Sequence, residues 1–178
     1  MSPIRSERPQ DGPQIEALLD RAFGPDRHAR PSYRLREGLE PIRDLCFVAE
    51  DEGRIVGTIR HWPVRIGAQA RALLLGPIAV DPVRERQGIG RRLVRTGLDR
   101  AAAAGHEAVV AVGTPSFLVG APAFLCRFGF TNAGRFGITL PGLDDPRRLF
   151  ALALAPGAFD RVSGAIQRVS APAPLPPS

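Results

Sequence analysis

The stretch Arg84-Glu85-Arg86-Gln87-Gly88-Ile89-Gly90 sets two glycines at the head of a helical pattern, an arrangement suited to holding phosphate. The first N–H groups of a helix have no intrahelical partner and lie at the positive end of its dipole. Glycine carries no side chain to block them, so an anionic oxygen can come within hydrogen-bond reach of the backbone. Arg84, Arg86, Arg91 and Arg92 stand around the turn. Each is either a partner for a phosphate or part of a solvated helix start.

Two phosphate-binding motifs are excluded by single residues. A P-loop requires a lysine, and all 24 basic residues of the chain are arginine. A dinucleotide-binding Rossmann turn would place a third glycine three residues after Gly90, where Leu93 stands. An Asp81-Pro82 corner also separates the turn from the strand before it. The remaining candidates for chemistry are sparse. Cys46 and Cys126 lie among apolar neighbours without metal-ligand spacing, which reads as two buried thiols in a reducing, cytoplasmic setting and gives no metal site. His28 and His106 fall in loops.

The elements that position the turn follow from periodicity. Asp11 to Phe23 reads as a first helix capped by Asp11, with Ile15, Leu18, Leu19 and Ala22 on its apolar face and Gly24-Pro25 as its end. A shorter helix is expected over Ser32 to Leu39, stopped by Pro41. Strands over Leu45–Glu50 and Arg54–Ile66 are joined by the turn signal Asp51-Glu52-Gly53. Leu73 to Val80 is apolar almost throughout, as a strand buried on both faces should be, but Gly76-Pro77 must make it bulge or splay. A helix over Gly88–Ala104, ended by Gly105, buries Ile89, Leu93, Val94, Leu98, Ala101 and Ala102. With the strand Ala108–Val112 it closes a right-handed βαβ unit. A short helix near Pro122–Arg127 and strands near Phe130–Leu140 and Arg148–Ala155 complete a single domain over 1–168, followed by an Ala/Pro-rich tail over 169–178 that reads as disordered.

Composition narrows the function further. The chain has 178 residues, 44% of them hydrophobic, enough for one core, and no apolar run of about 18 residues that would span a membrane. The net charge of +6 rests on arginine alone, as a GC-rich codon bias produces, and 18 acidic residues are interspersed with it. One Tyr and one Trp offer little for stacking bases, so a small anionic ligand ranks above nucleic acid.

The run Val80-Asp81-Pro82, then Gln87-Gly88-Ile89-Gly90-Arg91-Arg92-Leu93-Val94, resembles the central motif of the GNAT acyltransferases, [Gln/Arg]-x-x-Gly-x-[Gly/Ala]. Leu75-Gly76-Pro77-Ile78-Ala79-Val80, Arg127-Phe128-Gly129-Phe130 and Leu152-Ala153-Leu154-Ala155-Pro156-Gly157 resemble, in order, flanking segments of one bacterial branch of that family, so the likeness runs over residues 3–165. The resemblance implies an α/β (α+β) fold: a mixed, mostly antiparallel sheet with a splayed parallel strand pair, flanked by helices. It implies acetyl-CoA as co-substrate, an amine as acceptor and direct transfer between them. By position, the amides of Arg86, Gln87, Gly88, Ile89, Gly90 and Arg91 would hold the pyrophosphate. Ile78 and Val80 would offer backbone groups to the pantetheine and thioester, with the Val80 N–H polarising the acetyl carbonyl.

Two positions depart from that pattern. Glu85 stands where the family usually has Gln or Arg, and Leu125 stands where it often has the tyrosine that protonates departing CoA. His61, on a strand that faces the acceptor in the family, is either the general base or an edge-strand histidine packed beside Trp62. Cys126 is either a weak acid or an inert thiol. A CoA-binding module without catalysis, a longer acyl donor and a homodimer stay open.

Overall fold

The computed structural model describes residues 2–68, 70–113 and 122–169. The strands are β1 (Ile4–Ser6), β2 (Phe47–Asp51), β3 (Arg54–Ile66), β4 (Ala70–Val80), β5 (Ala108–Val112), β6 (Thr131–Asn132), β7 (Ile138–Thr139), β8 (Leu149–Ala153) and β9 (Gly164–Arg168). The α-helices are α1 (Gly12–Phe23), α2 (Pro31–Arg34), α3 (Ile89–Ala103) and α4 (Pro122–Cys126). The main sheet runs β1-β2-β3-β4-β5-β8-β6, and within that order only β4 and β5 are parallel. Off this order, β9 pairs antiparallel with the end of β3 and parallel with β7. This is the mixed, mostly antiparallel sheet flanked by helices that the resemblance implied.

Both faces of the sheet are covered, which explains why β4 lacks a clean polar alternation. Leu73 and Leu75 face α3, packing with Ile89, Leu93, Val94 and Leu98. Leu74 faces the opposite way, with Trp62, Val64, Ile66 and Val110. Helix α1 sets Ile15, Leu18 and Leu19 against Val48, Ile55 and Ala79. Each fully buried leucine contributes roughly 1.5–3 kcal/mol of apolar transfer. The β2–β3 turn has Glu52 and Gly53 both at positive φ, 47° and 78°, the form that follows strand twist in a two-residue hairpin. Helix α3 ends in a Schellman motif: Gly105 sits at φ 83°, its N–H donates to Ala102 O and the His106 N–H to Ala101 O.

Several expectations are corrected. Asp11 makes no side-chain cap of α1, because its carboxylate accepts Arg5 Nη1 at 2.7 Å and Nη2 at 3.0 Å and the Arg8 N–H at 2.7 Å. The second helix is a single turn, Pro31–Arg34, after which Arg36 and Leu39 donate only to carbonyls three residues back. Ala102 is exposed, and the buried face of α3 runs through Gly97 instead. The region 130–140 is two short strands around a 3-10 turn, started by an Asn132 side chain that accepts the Gly134 N–H and ended by Gly137 at φ 68°. Strands β1 and β9, short and polar, carry no sequence signal of their own. Cys46 is buried as expected and its thiol is pushed up to about 11 by that burial, but Cys126 is exposed, and both cysteines are free. The tail beyond 169 lies outside the described residues. Among the described residues, no helix is long and apolar enough to cross a membrane.

Candidate active site

Helix α3 opens with Gly88 in the left-handed region at φ 76° and without a side-chain cap. Among the described residues, the amides of Ile89, Gly90 and Arg91 therefore have neither an intrahelical nor a capping partner. The chain reaches this point through Arg86, also at positive φ (63°). Nothing within 4 Å would meet a Cβ on Gly88. One on Gly90 would touch Val80 Cγ2 at 3.5 Å and Phe124 Cζ at 3.6 Å. In front of the turn lies a groove of about 890 Å³, lined by Ile78 to Val80, Arg84 to Arg91, Phe124 and Arg127.

Strand β4 supplies the inner wall of that groove. Its pairing with β5 covers only Leu73–Leu75 against Val109–Ala111, so the parallel pair parts where Gly76-Pro77 begins. On its other side the ladder to β3 slips register between Ile59 and His61, opposite the same dipeptide. Beyond the slip, Val80 pairs with Gly57 and Ala79 with Thr58, and the Asp81 N–H donates to Val56 O at 2.8 Å. Groups on successive strand residues point to alternate sides, so Ala79 and Asp81 serve β3. The N–H and C=O of Ile78 and Val80 point the other way, into the gap that β5 has left.

That gap continues into a second cavity of about 180 Å³, which shares Ile78 and Phe124 with the groove. Leu75 to Pro77 form one side of it, Ala111 to Gly113 the other, and Leu125 closes it from α4. Its far wall is Tyr33, from α2, and Arg36, from the segment following it. Trp62 Nε1 donates to Gly76 O at 2.8 Å, which ties the splayed dipeptide to β3.

The sequence candidates divide between these features. Ile78, Val80 and Arg86 to Arg91 line one groove. Of the arginines, Arg84 is paired with Asp51 and Arg92 reaches the Ser2 carbonyl, so both are spent on the fold. Arg86, Arg91 and Arg127 are exposed at the groove. His61 lines none of these cavities: it is 0% exposed, on the face of β3 beneath α3. Its Nδ1 lies 2.7 Å from Leu45 O, which can only accept, so the proton sits on Nδ1. Nε2 has no partner among the described residues, and burial lowers the ring's pKa to about 4. Cys126, although exposed, lines neither the groove nor the splay cavity.

Tyr33 and Arg36 went unnoticed in the sequence as site residues. No periodic pattern marks a single helical turn, and only the fold carries them to β4. Arg127 was visible as part of a motif but not as a groove cation.

The chain matches the family model for the acetyltransferase (GNAT) family over residues 13–130. It is 34% identical over 168 residues to the uncharacterised N-acetyltransferase YhbS of Escherichia coli (strain K12), covering 92% of this chain and 94% of that protein. The crystal structure of E. coli YhbS in complex with CoA superposes with a TM-score of 0.77 at 33% identity, over 94% of this chain and 89% of the other. A GNAT family acetyltransferase from Brucella melitensis, solved with acetyl-CoA, gives a TM-score of 0.68 at 28% identity, over 96% and 97%. The chain therefore belongs to the GNAT acetyltransferase family.

Proposed function

We propose that this chain moves the acetyl group of acetyl-CoA to a primary amine by direct attack, without a covalent enzyme intermediate. The observation that carries the reading is the continuity of three features: the start of α3, uncapped among the described residues, the backbone edge at Ile78 and Val80, unpaired among the same residues, and the cavity at the β4–β5 splay. The CoA-bound and acetyl-CoA-bound relatives support the same donor.

The amides of Arg86 to Arg91 hold the pyrophosphate at the positive end of α3. The exposed Arg86, Arg91 and Arg127 neutralise the remaining phosphate charge, and Glu85 works against them from the same groove. The open edge of β4 extends along the pantetheine, with Val80 N–H donating to the carbonyl oxygen as negative charge grows there. Acetyl-CoA supplies the thioester. The amine lone pair forms the new C–N bond, the C–S bond breaks with its electron pair on sulfur, and the ammonium proton leaves to water. Holding donor and acceptor in adjoining cavities supplies much of the rate.

His61 is not the base in this reading, because a buried neutral imidazole without access to the splay cannot meet an incoming ammonium. Its role is to fill the space under α3. The two free thiols agree with a cytoplasmic setting. Leu125, in place of a proton donor, keeps a second reading in view, a CoA-binding module without turnover. Free-thiol release from acetyl-CoA across a panel of amines decides between them: release supports the enzyme, and tight CoA binding with no release from any amine supports the module.

A further inference from the structure

Among the described residues three arginines are buried, and two of them are met by carboxylates. Arg27, 3% exposed, pairs with Glu16 and Asp20. Arg148 pairs with Asp144 and donates to Gly113 O. Arg36, 8% exposed, has no ion pair with any acid among the described residues, and its Nε and Nη1 have no hydrogen-bond partner there. A buried cation without a counter-charge costs several kcal/mol, so an unpaired one needs a physical reason.

Its surroundings supply one. The guanidinium lies over the Tyr33 ring, 4.6 Å from the centroid, and 5.8 Å from that of Trp62. These rings hold its plane, and the Tyr33 side chain also favours its charged form, but neither supplies a carboxylate. Nη2 approaches Gly76, 3.3 Å from where a Cβ would stand, at the dipeptide where β4 splays. Arg36 thus lines the small cavity that opens on the thioester edge of β4. The other arginines of that cavity are committed, Arg148 as above and Arg30 to Phe23 O at 3.2 Å. Burial drives the Arg36 pKa down to about 10, still high enough to keep the group charged at neutral pH.

We infer that Arg36 is a specificity-determining residue: it binds a carboxylate carried by the acceptor amine, so the substrate is an amino acid or a similar amino carboxylate. This rests on the acetyl-transfer reading above and narrows its acceptor. A planar guanidinium edge pairs with a planar carboxylate through parallel bonds, and a cavity of about 180 Å³ admits a group of that size. With the carboxylate held on Arg36, the amine of the same molecule lies toward Ile78 and Val80.

The test is thiol release by the full chain with the proteinogenic amino acids, their carboxamides and the corresponding decarboxylated amines. Thermal midpoints of the CoA complex are measured with the same compounds. At least one amino acid should react with kcat/KM about 10–100-fold above its carboxamide, as loss of a charge-assisted contact implies. Arg36→Met should abolish that preference and leave CoA affinity by calorimetry unchanged, while Arg36→Lys should restore part of it. Carboxamides or decarboxylated amines reacting as well as the acids would overturn the carboxylate assignment and leave acetyl transfer intact. So would a preference that survives in Arg36→Met. If that variant fails to fold, the wild-type preference of acid over carboxamide decides alone. A wild type that binds CoA but neither reacts with, nor is stabilised by, any compound of the panel sinks both readings.

Discussion

A Cβ placed on Gly97 would stand 2.5 Å from His61 Cε1 and 3.2 Å from its Nε2, so α3 rests on the imidazole at a point where only glycine fits. Gly97→Ala should therefore destabilise the fold. Alanine is favoured over glycine inside a helix by about 1 kcal/mol, but overpacking a core costs about 1–3 kcal/mol, and at 2.5 Å the ring must move. A net loss of about 1–2 kcal/mol in urea unfolding is expected, with CoA affinity of the folded protein unchanged.

The same burial gives His61 a signature in pH. Its folded pKa, about 4, lies below the unfolded value near 6.5, so protons bind the unfolded chain more readily. The stability this group contributes is fully present above about pH 6.5. It is lost as pH falls toward 4, at up to about 1.4 kcal/mol per pH unit. His61→Gln should lose less stability than wild type between pH 7 and pH 5 in urea unfolding. The acidic limb of its pH–rate profile should match wild type. Disappearance of that limb in folded His61→Gln would restore the histidine as the base.

The coenzyme turn is tested at Gly90. An added Cβ there makes only ordinary contacts, 3.5 Å to Val80 Cγ2 and 3.6 Å to Phe124 Cζ, so a substituted chain should fold. Gly90→Glu brings a carboxylate to the place where phosphate meets the backbone. Affinity for CoA by calorimetry should fall by about 10²-fold or more, as like charges a few ångströms apart imply.

The sequence exposed one part of this site and concealed another, for physical reasons. Glycines before an amphipathic helix, between two apolar runs, mark a βαβ unit with an open helix start, because each feature is local. Strand β3 hid the position of His61, since it is covered by α3 on one face and packed around Trp62 on the other, and alternation no longer tells pocket from core. Arg36 and Tyr33 meet β4 only through long-range packing, and nothing in their own spacing announces it. Strand β9, short and polar, shows itself only through its pairing with β3 and β7.

The arginines at the groove should sort by whether the fold already uses them. Arg84 is held by Asp51, so Arg84→Ala should leave CoA affinity within about twofold of wild type, the scale of a surface ion pair. Arg127→Ala and Arg91→Ala, both exposed at the groove, should each weaken CoA by roughly 3–10-fold, more at low salt than at high. Titrating dephospho-CoA alongside CoA locates the contact: an arginine on the 3′-phosphate loses its effect with the former. Equal losses at Arg84 and Arg127 would contradict the division.

Leu125 and Cys126 stand side by side on α4 but differ in surroundings, and that difference predicts opposite outcomes for the departing thiolate. Leu125 is 4% exposed and lines the splay cavity, whereas Cys126 is exposed and lines neither that cavity nor the groove. A thiol of pKa about 8.5 is a good leaving group and needs little acid assistance, so water can protonate it. Cys126→Ala should therefore leave kcat unchanged, and near-complete loss of turnover with CoA affinity intact would put the thiol in the chemistry. Leu125→Tyr introduces a phenol where the cavity of about 180 Å³ has room for part of a ring. It should raise kcat, by no more than the lower end of the roughly 10²–10⁴-fold typical of a positioned acid. The gain should fade at alkaline pH as the phenol, with a pKa near about 10, ionises. Packing a larger side chain against Leu75 and Phe130 in the same core should cost about 1–3 kcal/mol of stability, so the variant must be assayed below its own unfolding midpoint. A folded Leu125→Tyr with unchanged kcat at every pH would mean that thiolate protonation does not limit this enzyme.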